Sequence, residues 1–344
     1  MNIRMKDIAR DLGVSVVTVS KVLRAHPDIG DATRERVLKR IKELNYSPNL
    51  NARSLVTGHS YMIGLVVPDL LHPFFAEVAK SLSKIVRERG YYLLIATSDG
   101  DPALEENEVE QLLARGLDAL VIASCRATNE LFLRLKERKM PLILLDREFA
   151  GISANFVGVD DEAVGEMAAQ HLIDIGCRRV AHIRGPRNSV GDRRLKGFEK
   201  AIVANGLKLP AHYIVARSSL ELETESHRQG AEGMRDLLRS KPRPDGVFCY
   251  SDPTAMGAMD AILEAGLSVP DDIAVIGCGN LHYDGSLRVP LSSIDQSSGV
   301  IGERVGKMVL NLLSRPEKSK TKRVLVESSL VVRASTTRRL KKKN

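Results

Sequence analysis

Six polar residues of this 344-residue chain have side chains suited to binding a small polar ligand, and all stand at or beyond the ends of apolar runs. Carboxylates and amides accept hydrogen bonds from hydroxyl groups, and a guanidinium can donate two parallel hydrogen bonds to a carboxylate or phosphate. Each residue could instead be a helix cap or part of a surface ion pair. Together they predict one shared binding site, made of Asp69, Asp146, Arg147, Arg194, Asp252 and Gln296.

The elements that would position these residues alternate along the chain from Tyr61 onward. Short apolar runs such as YMIGLVVPD and PLILLD are typical of strands buried on both faces, and helical stretches separate them. The pattern starts again after residues 156–160, so we predict two α/β lobes with doubly wound parallel sheets. Because ligands of such sheets bind beyond the carboxyl ends of the strands, the site is expected in a cleft between the lobes.

Several function classes are disfavoured by the sequence. It contains no GxGxxG, GxxxxGK[ST], HExxH or nucleophile-elbow motif, and its four cysteines form no CxxC pair, so we expect no cofactor, no metal and no catalytic residues. The N-terminus lacks the apolar segment of a signal peptide, and no apolar run of about 18 residues occurs. We therefore expect a cytoplasmic protein. An enzyme or a ligand carrier built on the same lobes is the alternative.

Basic residues are concentrated near the two ends of the chain. The net charge is +8, yet residues 1–60 hold 11 Lys and Arg against 6 Asp and Glu, and residues 315–344 hold 11 against 2. The long middle part is consequently acidic. A basic end alone is weak evidence for a polyanionic partner, so the first 60 residues need a motif as well.

The segment VSVVTVSKVL at 14–23 allows two interpretations, strand or helix. Its alternation and its β-branched residues favour a strand, whereas Ser15 is a good N-cap and Val16, Val19 and Leu23 lie on one face of a helix. Helices are predicted on both sides, at 6–12 and 32–44, with Gly13 ending the first. A lone strand would have no partner there, so the spacing predicts a helix-turn-helix head.

At this point the sequence resembles the lactose/galactose repressor family over nearly its whole length. KDIARDLGVSVVTVSKVL and TRERVLKRIKELNYSPNLNARSL are similar to the DNA head and hinge of that family, and VPDLLHPFF, LLDR, RLKGF, SDPTAMGA and SSIDQ are similar to its strand-end motifs. The resemblance implies two lobes of the periplasmic-binding-protein type I. It also implies a homodimeric transcription regulator, expected to be a repressor, whose affinity for operator DNA depends on a bound effector.

In such a head the second helix enters the major groove. The resemblance assigns DNA contacts there to Ser15, Val16, Val17, Thr18, Ser20 and Lys21. Lys21 can donate to a guanine, and valine methyl groups can pack on thymine methyl groups. Val16 could equally belong to the core of the head, whereas contact is favoured for Val17.

The segment 47–58 resembles the hinge helix of the family. Pro48 suits the first turn of a helix, and the resemblance assigns DNA contacts to Asn49, Ala52, Arg53 and Leu55. Leu55 corresponds to the apolar wedge that opens a base step, so we expect a dimer that reads a palindrome of about 14 to 20 base pairs. The alternative for Leu55 is packing against a lobe.

In the cleft the family stacks an aromatic ring on its ligand, and Phe74 or Phe75 is expected to do so, but not both. The sequence departs from the family twice: Ser251 precedes Asp252 where Asn is usual, and Gly279 stands where a sugar-clamping Asp is expected. Four arginines lie at or beyond the end of the predicted strand RVAHIRG (179–185), at 184, 187, 193 and 194. We therefore expect an effector that is a sugar, a phosphosugar or a sugar acid, with an anion favoured; the alternative is that Arg184 and Arg187 pair with acids on the surface.

The predicted organisation follows from these motifs. The head spans 1–46, the hinge and linker 47–60, and the ligand-binding and dimerisation domain 61–333, with a basic tail at 334–344. We assign about 61–158 and 291–318 to lobe 1, and about 159–290 and 319–333 to lobe 2. The charged C-terminal residues lack the leucine heptad that pairs dimers in some relatives, so we expect a solvated tail and a dimer.

Overall fold

A computed structural model describes residues 3–23, 26–46, 58–126, 128–149, 151–216, 223–314 and 320–338. The chain forms two compact units, residues 1–60 and residues 61–344.

The first unit contains three helices, α1 Met5–Leu12, α2 Val16–Leu23 and α3 Asp31–Glu43. Ser15 caps α2, because its Oγ accepts a hydrogen bond from the Thr18 N–H at 3.0 Å. Gly13 ends α1 in the left-handed conformation, with φ of 64°. Five residues form the buried core, Ile8, Ala9, Val19, Val22 and Val37. Burial of Val19 and Val22 against α1 and α3 outweighs the strand propensity of this segment, and the helix prediction is confirmed.

The second unit contains two six-stranded sheets. The first sheet is parallel throughout, in the order β11-β5-β4-β3-β1-β2; the second has the order β12-β10-β9-β8-β6-β7, with only β12 antiparallel. The strands are β1 Met62–Val67, β2 Tyr92–Thr97, β3 Ala119–Ile122, β4 Leu142–Leu145, β5 Asn155–Val159, β6 Val180–Arg184, β7 Ile214–Ala216, β8 Gly246–Cys249, β9 Ala274–Cys278, β10 Ser292–Asp295, β11 Arg323–Val326 and β12 Ser329–Val331. The two predicted lobes with parallel sheets are confirmed; the short edge strand β7 was not predicted.

Helices cover both faces of each sheet. They are α4 Pro73–Arg87, α5 Pro102–Ala114, α6 Glu130–Glu137, α7 Asp161–Asp174, α8 Ser189–Ala204, α9 Glu223–Arg239, α10 Asp252–Glu264 and α11 Ser298–Ser314. In the second lobe, α7 packs on α8 and α9 packs on α10, both at glycines. A Cβ on Gly197 would lie 1.8 Å from the Glu162 carbonyl oxygen, and one on Gly257 would lie 1.8 Å from the His227 carbonyl oxygen. Only glycine permits helix backbones to approach so closely.

The C-terminal part differs from the predicted division between lobes. Strand β10 belongs to the second sheet although it was assigned to lobe 1, and β11 belongs to the first sheet although it was assigned to lobe 2. Helix α11 packs on α4 of the first lobe. The apolar run at 323–333 is thus two strands in two sheets. Alternation shows that a strand forms but not which sheet receives it.

The predicted basic tail also begins later than expected. Residues Ala334–Thr336 form a 3₁₀ turn in which Ser335 and Thr336 are buried, and the Ser335 Oγ donates to the Val275 carbonyl at 2.6 Å. Arg338 donates to the carbonyl oxygens of Pro270 and Asp245. These residues are part of the second lobe, whereas 339–344 lie outside the described residues.

Candidate functional site

The outward face of α2 in the first unit carries apolar and polar side chains together. Val16 and Val17 are 43% and 62% exposed, so Val16 lies outside the buried core that was its alternative location. The hydroxyl groups of Ser15 and Thr18 lie 2.9 Å apart, and the Lys21 Nζ lies 3.2 Å from an Asp28 carboxylate oxygen. This face offers methyl groups, hydroxyls and one ammonium, and it also includes the partly exposed Ser20. The predicted contacts Asn49, Ala52, Arg53 and Leu55 lie outside the described residues and stay predictions.

In the second unit a cleft lies at the carboxyl ends of strands from both sheets. It has about 700 Å³ of empty space, part of it open to solvent. Its lining consists of His72, Phe74, Phe75, Asp146, Arg147 and Gln296, together with Ile183, Arg184, Gly185, Pro186, Arg194, Ser226, Gln229, Tyr250, Ser251, Thr254 and Cys278. Nine of these seventeen residues end a strand or directly follow one, because chain direction places these strand ends at one edge.

One wall of the cleft is aromatic. Pro73 is the first residue of α4, which suits proline because this position needs no N–H, and Phe74 and Phe75 fill the same first turn. The two rings meet edge to face, with centroids 5.1 Å apart, and each residue is only 5% exposed. One ring was expected at the ligand; both line the cleft.

The opposite wall holds a buried cation. The Arg194 Nε lies 2.9 Å from an Asp161 carboxylate oxygen, and its Nη1 donates to the Tyr250 carbonyl at 2.8 Å. The guanidinium also lies over the Tyr250 ring, 4.9 Å from its centroid. Burial raises the pKa of Asp161 to about 7, although the charge of Arg194 opposes that rise. Arg194 is therefore held in place by three contacts and keeps its charge at the cleft.

Two further guanidiniums line the cleft. Arg147 donates to the Ser124 carbonyl at 2.8 Å, and Arg184 pairs with Asp192 at 2.5 Å. Asp146 is the carboxylate among the described residues that line the cleft, and burial raises its pKa. Two of the three guanidiniums are thus already paired, Arg194 with Asp161 and Arg184 with the exposed Asp192, and the latter pair is the alternative weighed for Arg184. The cleft presents forked donors that suit a carboxylate or phosphate, without a large excess of positive charge.

On the histidine and amide side chains of the cleft, two buried polar atoms have no hydrogen-bond partner among the described residues. They are the Nδ1 of His72 and the Nε2 of Gln229. Burial lowers the pKa of His72 to about 4, so its ring is neutral at pH 7. An unsatisfied buried polar atom costs about 1–3 kcal/mol, and a ligand with hydroxyl or carbonyl groups would satisfy both.

Two of the predicted ligand contacts do not line the cleft. The Asp69 carboxylate accepts a hydrogen bond from the Leu71 N–H at 2.8 Å. Asp252 is fully buried behind the cleft, where it accepts from the Ser293 hydroxyl at 2.7 Å and from the Leu281 N–H at 3.3 Å. Burial, assisted by the neighbouring Asp284, raises the pKa of Asp252 well above its usual value. The structure places Phe74, Phe75, Asp146, Arg147, Arg194 and Gln296 together and leaves Asp69 and Asp252 out.

Asp252 also explains one departure noted in the sequence. Gly279 has a φ of 140°, and a Cβ at this position would lie 2.8 Å from an Asp252 carboxylate oxygen. A side chain at 279 is therefore disfavoured by backbone conformation and by space. Cys278 lines this side of the cleft instead.

Comparison with known proteins identifies both units. Residues 4–49 match the model of bacterial regulatory proteins of the lacI family, and residues 169–336 match a periplasmic binding protein-like domain. A ribose operon repressor of Haemophilus influenzae is 33% identical over 339 residues, which cover 96% of this chain and 98% of that protein. The chain belongs to the lacI family.

Further members of this family agree in length and fold. The repressor PurR of Mannheimia succiniciproducens is 30% identical over 96% of this chain and 98% of its own. The structure of the regulator CelR with cellobiose has a TM-score of 0.74 at 27% identity, covering 97% of this chain and 99% of that one. The operator-bound lac repressor dimer has a TM-score of 0.85 at 24% identity, covering 98% and 99%, and shows the same fold.

As a lacI-family member, the chain is a DNA-binding transcriptional repressor controlled by an effector, and not an enzyme. The match of the N-terminal unit to the lacI model excludes the carrier that was weighed as an alternative. Among the described residues, no helix is both long and apolar enough to cross a membrane.

Some cleft residues were not found from the sequence. His72 and Tyr250 stand next to predicted strand ends, so a scan of every residue beyond a strand would have included them. Ser226 and Gln229 lie on α9, away from any strand end, and only its packing on α10 brings them to the cleft. No local pattern marks these two residues.

Proposed function

We propose that this lacI-family repressor binds a palindromic operator as a homodimer and that its effector is a sugar-derived anion bound in the cleft. The observation that carries the effector proposal is the composition of the cleft lining: three guanidiniums and one carboxylate, opposite two phenyl rings. Arg194 and Arg184 also pair with Asp161 and Asp192, which are not lining residues. Guanidiniums bind phosphate or carboxylate in a fork, and phenyl rings cover the apolar face of a sugar. Operator and sugar ligands named for related proteins support the same assignment.

Each group in the cleft has a task in this proposal. Asp146 accepts hydrogen bonds from sugar hydroxyls, and His72 and Gln229 gain the hydrogen-bond partners that they lack. Asp146 has a φ of 64°, an uncommon conformation for aspartate that turns its carboxylate back at the end of β4. Ribose is the natural first probe, because several related proteins are ribose operon repressors.

The charge of the effector can be tested by thermal shift with ribose, ribose 5-phosphate and gluconate. A ligand at about 100 times its dissociation constant adds roughly 2.7 kcal/mol to the folded state. Phosphosugar or sugar acid should raise the melting temperature of wild type, and Arg184→Gln should lower the affinity for the sugar acid, whose carboxylate lies in the cleft, about tenfold or more. Arg184 is preferable to Arg194 as the test position, because removing Arg194 leaves the buried Asp161 unpaired.

The control for this experiment is Arg178→Gln, the same charge change on an exposed residue at the opposite end of β6. It should bind like wild type. If neutral sugars raise the melting temperature and no anion does, the effector is a neutral sugar and the proposal of an anion is wrong.

DNA recognition is tested by Lys21→Ala. We expect this variant to lose about 1–3 kcal/mol of binding to an operator with a guanine at the contacted position, measured by mobility shift at fixed salt. Lys39→Ala, on the exposed surface of α3, removes the same charge and is the control. If Lys21→Ala weakens binding equally on operators with and without that guanine, the lysine contacts phosphate and does not read the base.

A further inference from the structure

A second pocket opens beside the cleft and shares Arg147 with it. We call it the outer pocket; its walls include three arginines, Arg126 and Arg147 of the first lobe and Arg187 of the second, and two carboxylates, Glu148 and Asp192. It has about 670 Å³ of empty space, part of it open to solvent. A ligand that passes Arg147 could therefore occupy both.

The carboxylates at the outer pocket are already neutralised by arginines outside its walls. Glu148 binds Arg193 at 2.7 Å and Arg323 at 2.7 and 2.9 Å, and these contacts, chiefly the one with Arg323, lower its pKa. Asp192 pairs with Arg184 at 2.5 Å. Neither carboxylate is left to balance the guanidiniums that form the walls.

The guanidiniums of the walls are balanced to different degrees. Arg126 pairs with Glu106 at 3.1 Å, and its side chain is 12% exposed. Arg187 is exposed and makes no hydrogen bond or ion pair with another described residue. Two lobes thus contribute three guanidiniums to the outer pocket, and among the described residues none occupies the fork of Arg187.

We propose that the outer pocket binds the phosphate group of an effector whose sugar ring lies in the cleft. This assignment rests on the proposed function and adds where the charge of the effector is read. The phosphate lies between Arg187 of the second lobe and Arg126 and Arg147 of the first. It therefore joins the two lobes directly, and its binding favours the closed arrangement in which the three guanidiniums converge.

The proposal is tested by calorimetric titration of the full chain with ribose, ribose 5-phosphate and inorganic phosphate. Wild type should bind ribose 5-phosphate at least about tenfold more tightly than ribose, and Arg187→Gln should remove most of that difference while leaving ribose affinity unchanged. Inorganic phosphate should likewise bind wild type more tightly than the variant. Arg178→Gln is the matched control. Because Arg187 is exposed and has no described partner, its replacement leaves the fold intact.

The outcomes separate this proposal from the previous one. If Arg187→Gln retains wild-type affinity for both phosphate compounds, or if wild type binds neither, the outer pocket assignment is overturned. If inorganic phosphate depends on Arg187 while neither sugar binds, the outer pocket stands and the sugar assignment fails.

Discussion

Replacing Arg194 by leucine is expected to lower the free energy of unfolding by about 3–5 kcal/mol at pH 8, because the buried Asp161 loses its cation and its carboxyl group must either stay charged and unpaired or bind a proton. Both side chains of this pair are about 5% exposed or less. The Tyr250 carbonyl also loses its guanidinium donor. Urea unfolding of wild type and variant measures the loss.

This loss should depend on pH in a defined direction. The folded pKa of Asp161 is about 7 against an ordinary value of 3.8, so the folded state binds more protons between these values and the carboxyl destabilises the fold as pH rises through them. Without Arg194 the strongest opposition to the burial effect is lost, and the folded pKa of Asp161 rises further. The penalty of Arg194→Leu should therefore be clearly smaller at pH 5.5 than at pH 8.

The control is the double variant Arg194→Leu with Asp161→Leu, which removes the buried carboxyl group together with its partner. The double variant should have a larger free energy of unfolding at pH 8 than the single variant Arg194→Leu. Equal penalties at the two pH values, with no gain in the double variant, would mean that Asp161 is not the source of the loss.

The second large effect is expected from Gly197→Ala at the crossing of α7 and α8. The added methyl group would lie 1.8 Å from the Glu162 carbonyl oxygen and 3.0 Å from the Glu166 nitrogen. These are backbone atoms, so no side-chain rotation can relieve the overlap, and the two helices must separate. Overpacking commonly costs about 1–3 kcal/mol, and we expect about 3 kcal/mol or more here.

Gly299→Ala is the control for this substitution. Gly299 lies in the first turn of α11 with nothing within 4 Å of an added Cβ, and it has no positive φ. It should be neutral or slightly stabilising in thermal or urea unfolding, because alanine favours helix. If both glycine variants unfold alike, the close approach of α7 and α8 does not limit stability.

The sequence predicted the cleft well where the fold follows from chain direction. Parallel strands end at one edge, so residues just past β1, β4 and β10, such as Phe75, Asp146 and Gln296, had to meet there. Burial also explains why the head helix was predictable: Val19 and Val22 needed neighbours that only a helix could provide.

The sequence did not predict which side chains point into the cleft where their direction depends on packing between distant segments. Asp252 follows the same strand-end pattern as Asp146, yet hydrogen bonds from Ser293 and Leu281 turn it away from the cleft. Arg193 and Arg194 are neighbours on one helix, and successive residues of a helix point in different directions. One lines the cleft and the other pairs with Glu148, and the spacing alone cannot say which.

The last two strands of the chain, β11 and β12, belong to different sheets, and this affects how the protein folds during its synthesis. Strand β11 completes the edge of the first sheet, while β12 and the turn at 334–336 cover the second. Neither lobe can finish folding on the ribosome until residues beyond 320 have emerged, and until then each keeps an open sheet edge that favours association with other chains. Truncation near residue 320 would therefore remove an edge strand from each of the two sheets.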